Sequence, residues 1–95
     1  MSARAKAIGT TIEDNLRVRI TEWHFAPGAE TGWHQHTLDY VVVYGTSGQL
    51  LAETKEGLFT VQVRAGQSYF RKAGVEHNIV NSGNEDLVFV ETELK

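Results

Sequence analysis

The chain contains no cysteine and a single proline. Without cysteine there are no disulfides, no thiolate metal site and no cysteine nucleophile. That composition fits a reducing compartment, and we expect a cytoplasmic protein. Long apolar runs are also missing. The longest is Tyr40–Tyr44, far below the roughly 20 residues of a membrane-spanning helix, so no membrane partner is expected. Arg4 and Lys6 are followed by no apolar segment, which argues against a signal peptide. Positive charge is scarce: 9 Lys and Arg stand against 12 Asp and Glu, for a net charge of −3. With no basic stripe, nucleic acid is not an expected partner. No stretch sustains a helical period either.

What remains is a succession of short strands. Turn signals recur at Pro27-Gly28, Gly45–Gly48, Glu56-Gly57, Ala65-Gly66, Ala73-Gly74 and Ser82–Asn84. Between them lie segments rich in Val, Ile, Thr, Tyr and Phe. We expect strands at 16–26, 33–44, 49–54, 58–64, 68–72, 76–81 and 87–94. Strands at this spacing suggest an all-β sandwich or barrel. Ile8–Asp14 reads as a short strand or arm, and Met1–Ala7 as a loose terminus. A chain of 95 residues makes one small domain that buries only about 60–65% of its unfolded surface. Val41–Val43 does not alternate. That pattern fits a strand covered on both faces or one at a subunit interface, and we expect a homodimer.

The chemistry lies with three histidines. His34 and His36 are two residues apart. Residues at that spacing on a strand share a face, roughly 6.5–7 Å apart. They converge on one ion if residues 33–37 are extended. His77 would join them from another strand. Neutral imidazole suits Zn²⁺, Fe²⁺, Ni²⁺ and Cu²⁺.

The two segments together resemble the paired motifs of the cupin superfamily. Gly28, His34 and His36 match the first motif. Gly66, Gly74, His77 and Asn81 match the second, with Lys72 in place of its proline. The resemblance runs from about Val18 to Leu94. It implies a double-stranded β-helix, the jelly-roll cupin barrel, over 16–95, with 1–15 as an N-terminal arm or edge strand. More narrowly, Val18–Trp23, Gly32–His34, Asp39–Val43 and Ala65–Arg71 are similar to a group of small bacterial cupins, one of them assigned to β-alanine degradation.

One departure matters. The resemblance implies a carboxylate ligand four residues after the second histidine, and that position is Tyr40. Counting one residue later gives Val41, which cannot ligate. Asp39 has the wrong parity unless a bulge turns it inward. We therefore expect a three-histidine site of His34, His36 and His77. Tyr40 faces the metal, either as a packed residue with a satisfied hydroxyl or as a weak ligand. Three neutral imidazoles leave the full charge on the ion, which raises its Lewis acidity. Fe²⁺, Zn²⁺ and Ni²⁺ remain open, while Mn²⁺, which prefers oxygen, is disfavoured.

Arg71 shares a face with Tyr69 and, if inward, would clamp a substrate carboxylate. On an edge facing solvent it would do nothing of the kind. His24 is expected to be exposed, Glu30 and Glu76 to be surface carboxylates, and Trp23, Phe25 and Trp33 to pack in the core or an interface. The expected function is a metal-binding small cupin, most concretely a dioxygenase-like enzyme or a lyase or isomerase. It would act on a small carboxylated metabolite, with Tyr40 and Arg71 orienting the substrate. The alternative is a non-catalytic sensor or accessory binding protein on the same barrel.

Overall fold

A computed structural model describes residues 4–95. Nine strands and no helix make up the described residues: β1 Ile8–Asp14, β2 Val18–Phe25, β3 His34–Gln35, β4 Asp39–Tyr44, β5 Gly48–Thr54, β6 Gly57–Val63, β7 Ser68–Arg71, β8 Glu76–Asn81 and β9 Leu87–Leu94. They form two antiparallel sheets, ordered β1-β2-β9-β4-β7 and β3-β8-β5-β6. This is the double-stranded β-helix, two sheets facing each other across one core.

Alternation builds that core. Along β9, Leu87, Phe89, Glu91 and Glu93 are buried while their neighbours are less so. Phe25, Tyr40, Val42, Tyr44, Leu50, Ile79, Leu87 and Phe89 fill the space between the sheets. Each large apolar side chain removed from water there contributes about 1.5–3 kcal/mol. Asn81 closes the turn between β8 and β9. Its amide donates to the Phe25 and Glu85 carbonyls at 3.1 and 2.8 Å, and its carbonyl accepts from Gly83 N–H at 3.0 Å.

Two expectations change. The strand expected at 33–44 is two strands in different sheets, because the chain crosses from one sheet to the other between Gln35 and Asp39. Val41–Val43 is not covered on both faces within the chain. Val42 is buried, but Val43 on the outer face is 43% exposed, and Phe70 beside it is 49% exposed. Ile8–Asp14 pairs with β2 as the outermost strand of the five-stranded sheet, with every residue exposed. Met1–Ala3 of the expected loose terminus lie outside the described residues.

Candidate metal centre and cavity

His34 and His77 are register partners on β3 and β8, so their side chains leave the sheet on the same face as neighbours. His36 lies just beyond β3, where a short loop from β8 holds it. The His36 N–H donates to the Val75 carbonyl at 2.8 Å, and the Gly74 N–H donates to the His36 carbonyl at 2.7 Å. Gly74 has φ +107°, a conformation that a side chain would strain. The motif glycine thus fixes the backbone of a histidine 38 positions earlier in sequence.

The three rings meet tip to tip. His34 Nε2 is 3.1 Å from His36 Nε2, which is 3.3 Å from His77 Nε2. His34 Nδ1 lies 2.9 Å from the Gly32 carbonyl. That contact requires a hydrogen on Nδ1, so the lone pair of His34 is on Nε2 and points into the cluster. Burial, and then the neighbouring His34, push the His36 and His77 imidazoles down to about 4, so both are neutral at pH 7. A neutral ring offers at most one N–H at Nε2. His36 Nε2 has two ring nitrogens beside it and cannot satisfy both as a donor. A cation can serve all three. Nitrogens about 2.1 Å from one ion, at angles between octahedral and tetrahedral, stand about 3.0–3.4 Å apart, and the His34–His36 and His36–His77 separations fall in that range. The residues fit a divalent transition metal.

Tyr40 faces inward. Its ring stacks on His36, with centroids 3.9 Å apart and planes 19° from parallel. Burial holds its hydroxyl far above the usual phenol range, so the phenol stays protonated. Asp39 points outward and accepts from the Ala73 N–H at 2.8 Å; β4 pairs without a bulge on both sides, so nothing turns Asp39 toward the histidines.

The sequence reading missed the carboxylates nearest the site. Glu91 and Glu93 lie on the inner face of β9, and Glu91 Oε2 is 3.9 Å from His36 Nε2. His36, Glu91 and Glu93 form a second group able to hold an ion. The signal was available: in Leu87-Val-Phe-Val-Glu-Thr-Glu the alternation that buries Leu87 and Phe89 also buries both glutamates. Arg19 Nε donates to Glu93 at 2.9 Å. Burial, reinforced by Glu93, raises the Glu91 carboxyl to about 7.

The cluster opens onto a cavity of about 240 Å³ walled by Trp23, Tyr40, Val42, Phe89, Glu91 and Glu93 among others. An adjoining cavity of about 180 Å³ includes Arg71. Arg71 pairs with Tyr40 across β4 and β7 and therefore shares its inward face. Its guanidinium sits 4.3 Å over the Tyr69 ring. The other residues singled out lie elsewhere. His24 is half exposed and pairs with Asp86 at 2.9 Å. Glu30 binds Arg4 and Asn78, while Glu76 binds Lys55 and the Trp33 indole. Phe25 is core, Trp23 is partly buried against it, and Trp33 is exposed.

A barrel of two antiparallel sheets with histidines at its mouth defines a class, and the family comparison agrees. The cupin domain family matches residues 21–93, and the chain belongs to that family. Over its whole length it is 58% identical to the full length of the β-alanine degradation protein BauB of Pseudomonas aeruginosa. Over 69 residues, 67% of this chain and 51% of that one, it is 33% identical to an oxalate-binding protein of Thermotoga maritima. A crystal structure of a cupin domain from Bordetella pertussis Tohama I superposes with a TM-score of 0.97 at 54% identity, covering 100% of this chain and 99% of that one.

Proposed function

We propose that the protein is a metal-dependent enzyme acting on a small carboxylated metabolite. His34, His36 and His77 hold one divalent ion, Fe²⁺, Zn²⁺ or Ni²⁺, and Arg71 holds the substrate carboxylate. The observation that carries this reading is the meeting of three imidazole nitrogens at the wall of a cavity, with His36 Nε2 3.1 Å from His34 Nε2 and 3.3 Å from His77 Nε2 and all three within 4.8 Å of one another. Such an ion supplies Lewis acidity for lyase or isomerase chemistry and, as iron, a centre for dioxygenase chemistry. The residues of the chain do the rest. Tyr40 holds the His36 ring in plane by stacking. Arg71 offers a planar pair of donors to a carboxylate. Buried aromatic walls keep water from the reacting atoms. The full-length likeness to a β-alanine degradation protein supports a substrate among small amino or keto acids.

The test is spectroscopic. Ferrous protein prepared without oxygen should bind nitric oxide, a dioxygen surrogate, and give an electron-spin signal that a small keto acid perturbs. A ferrous protein indifferent to nitric oxide would end the dioxygenase version. The oxalate-binding relative favours a second reading, a barrel that holds a small acid without turning it over. Metal-loaded protein that binds such an acid and never consumes it would support that reading.

The same proposal includes a homodimer. Val41, Val43 and Phe70 lie together on the outer face of the five-stranded sheet, apolar and part-exposed in the single chain. A second copy covering that face would remove them from water.

A further inference from the structure

Charged groups of both signs line one wall of the interior. Arg19, Glu93, Tyr40 and Arg71 are successive register partners on β2, β9, β4 and β7, and one rung along stand Thr21, Glu91, Val42 and Tyr69. Partners in register share a face, and Glu91, Glu93, Tyr40, Val42, Tyr69 and Arg71 of these rows line the two cavities. Arg19 is committed to Glu93 at 2.9 Å. Glu91, 9% exposed, has no Lys or Arg partner among the described residues; its nearest basic nitrogen is His36 Nε2 at 3.9 Å. Arg71 is the complement. Its guanidinium lies on the Tyr69 ring and donates only to the neighbouring Phe70 carbonyl at 3.2 Å, with no carboxylate partner among the described residues. Tyr40, Tyr69, His77, Ile79 and Phe89 line both the cavity that Glu91 faces and the one that Arg71 faces. Glu91 and Arg71, neither held in an ion pair with a fixed charge, therefore flank two adjoining cavities that share these walls, and His77 lines both.

We propose that Glu91 and Arg71 bind the two ends of one molecule, a short ω-amino acid, with its ammonium on Glu91 and its carboxylate on Arg71. This rests on the enzyme reading above only for the chemistry that follows binding. The spacing selects the class. Two strand intervals of about 4.8 Å and one rung of about 6.8 Å put the two backbones roughly 12 Å apart. The Arg71 guanidinium leans over the Tyr69 ring, in the row of Glu91, so the charged tips are separated by the two strand intervals alone, about 9.6 Å. Two charge-assisted contacts of about 2.8 Å each leave roughly 4 Å for the ligand. Two methylenes between the charged groups fill that span, and three fill it in a bent form. An α-amino acid carries both charges on one carbon, about 3 Å apart by ordinary bond lengths, and reaches one end only.

The probes are β-alanine, γ-aminobutyrate, L-alanine, propionate and propylamine, titrated calorimetrically into zinc-loaded protein. β-Alanine or γ-aminobutyrate should bind at least tenfold more tightly than L-alanine, propionate or propylamine. Glu91→Gln should weaken β-alanine tenfold or more, leave propionate unchanged and keep the zinc content of the wild type. Arg71→Gln should weaken β-alanine and propionate alike and leave propylamine unchanged. Equal binding of L-alanine and β-alanine would overturn the proposal. So would loss of zinc in Glu91→Gln, which would make Glu91 a ligand of the ion. If the wild type takes up no metal, the enzyme reading fails, and the same titrations on metal-free protein still decide this one, since neither Glu91 nor Arg71 is among the three histidine ligands.

Discussion

Tyr40 stands where a cupin carboxylate ligand is expected, and two substitutions separate what its ring does from what its hydroxyl does. The residue is 2% exposed and its ring stacks on His36 at 3.9 Å. The hydroxyl is not sealed in the core: it is not among the fully buried unpaired polar atoms, of which the described residues have none, and Tyr40 lines both cavities. Burial keeps the phenol from ionising, so it cannot supply the negative charge of a glutamate. Tyr40→Phe should therefore retain the metal and change stability by less than about 1 kcal/mol, the net worth of one hydrogen bond. Tyr40→Ala removes the whole ring from the packed interior. Large aromatic-to-alanine changes cost about 3–5 kcal/mol, and in a domain of this size each kcal/mol lowers the melting temperature by about 4–8 °C. A fall of at least about 12 °C is expected in metal-free protein, together with weaker metal binding, because His36 loses the surface that orients it. Urea and thermal unfolding with EDTA give the stability, and elemental analysis gives the metal. Loss of metal in Tyr40→Phe would refute the argument, since the hydroxyl would then be a ligand.

Acid should destabilise the metal-free protein. His36 and His77 fall from 6.5 to about 4 on folding, so the unfolded chain takes up their protons first and stability drops as pH falls from 6.5 toward 4. Glu91, raised to about 7, works in the opposite sense between 4.5 and 7. Two groups against one leave a net loss of about 1 kcal/mol per pH unit below 6.5, measurable as urea midpoints at pH 5 and 6.5; a flat profile would count against it. Asn81→Ala strands two carbonyls and one N–H at the β8–β9 turn and should cost about 2–4 kcal/mol by denaturation, whereas a cost under 1 kcal/mol would show that water replaces the amide. Sedimentation should give a dimer at micromolar concentration, and Val43→Glu should shift it to monomer with the fold intact by circular dichroism; a wild-type monomer at high concentration would remove the outer face of β4 as an interface.

The fold was legible because its signals are local. Turn residues and short β-rich runs located the strands, and Glu76–Asn81 and Leu87–Leu94 match the expected bounds. The break between β3 and β4 was not legible. Gln35–Asp39 carries no glycine or proline, and only the tertiary path shows that the chain changes sheets there. The three histidines could be named because their spacing to glycines is written in sequence, as Gly74 and its hold on His36 illustrate. Glu91 and Glu93 belong to no motif. Their place depends on β9 lying beside β4 with Glu93 opposite Tyr40, a pairing between residues more than 50 positions apart. The alternation in β9 carried the clue, but a glutamate on an apolar face reads as a strand end until its neighbours are known.

The central claim is that His34, His36 and His77 hold one transition-metal ion, and metal content tests it most directly. Elemental analysis of protein purified without added metal should give close to one ion per chain. His77→Ala should lose most of it, since two imidazoles remain of three, and His24→Ala, whose ring pairs with Asp86 and does not line the cavity of the three histidines, should keep it. Full metal retained by a folded His77→Ala variant would contradict the account.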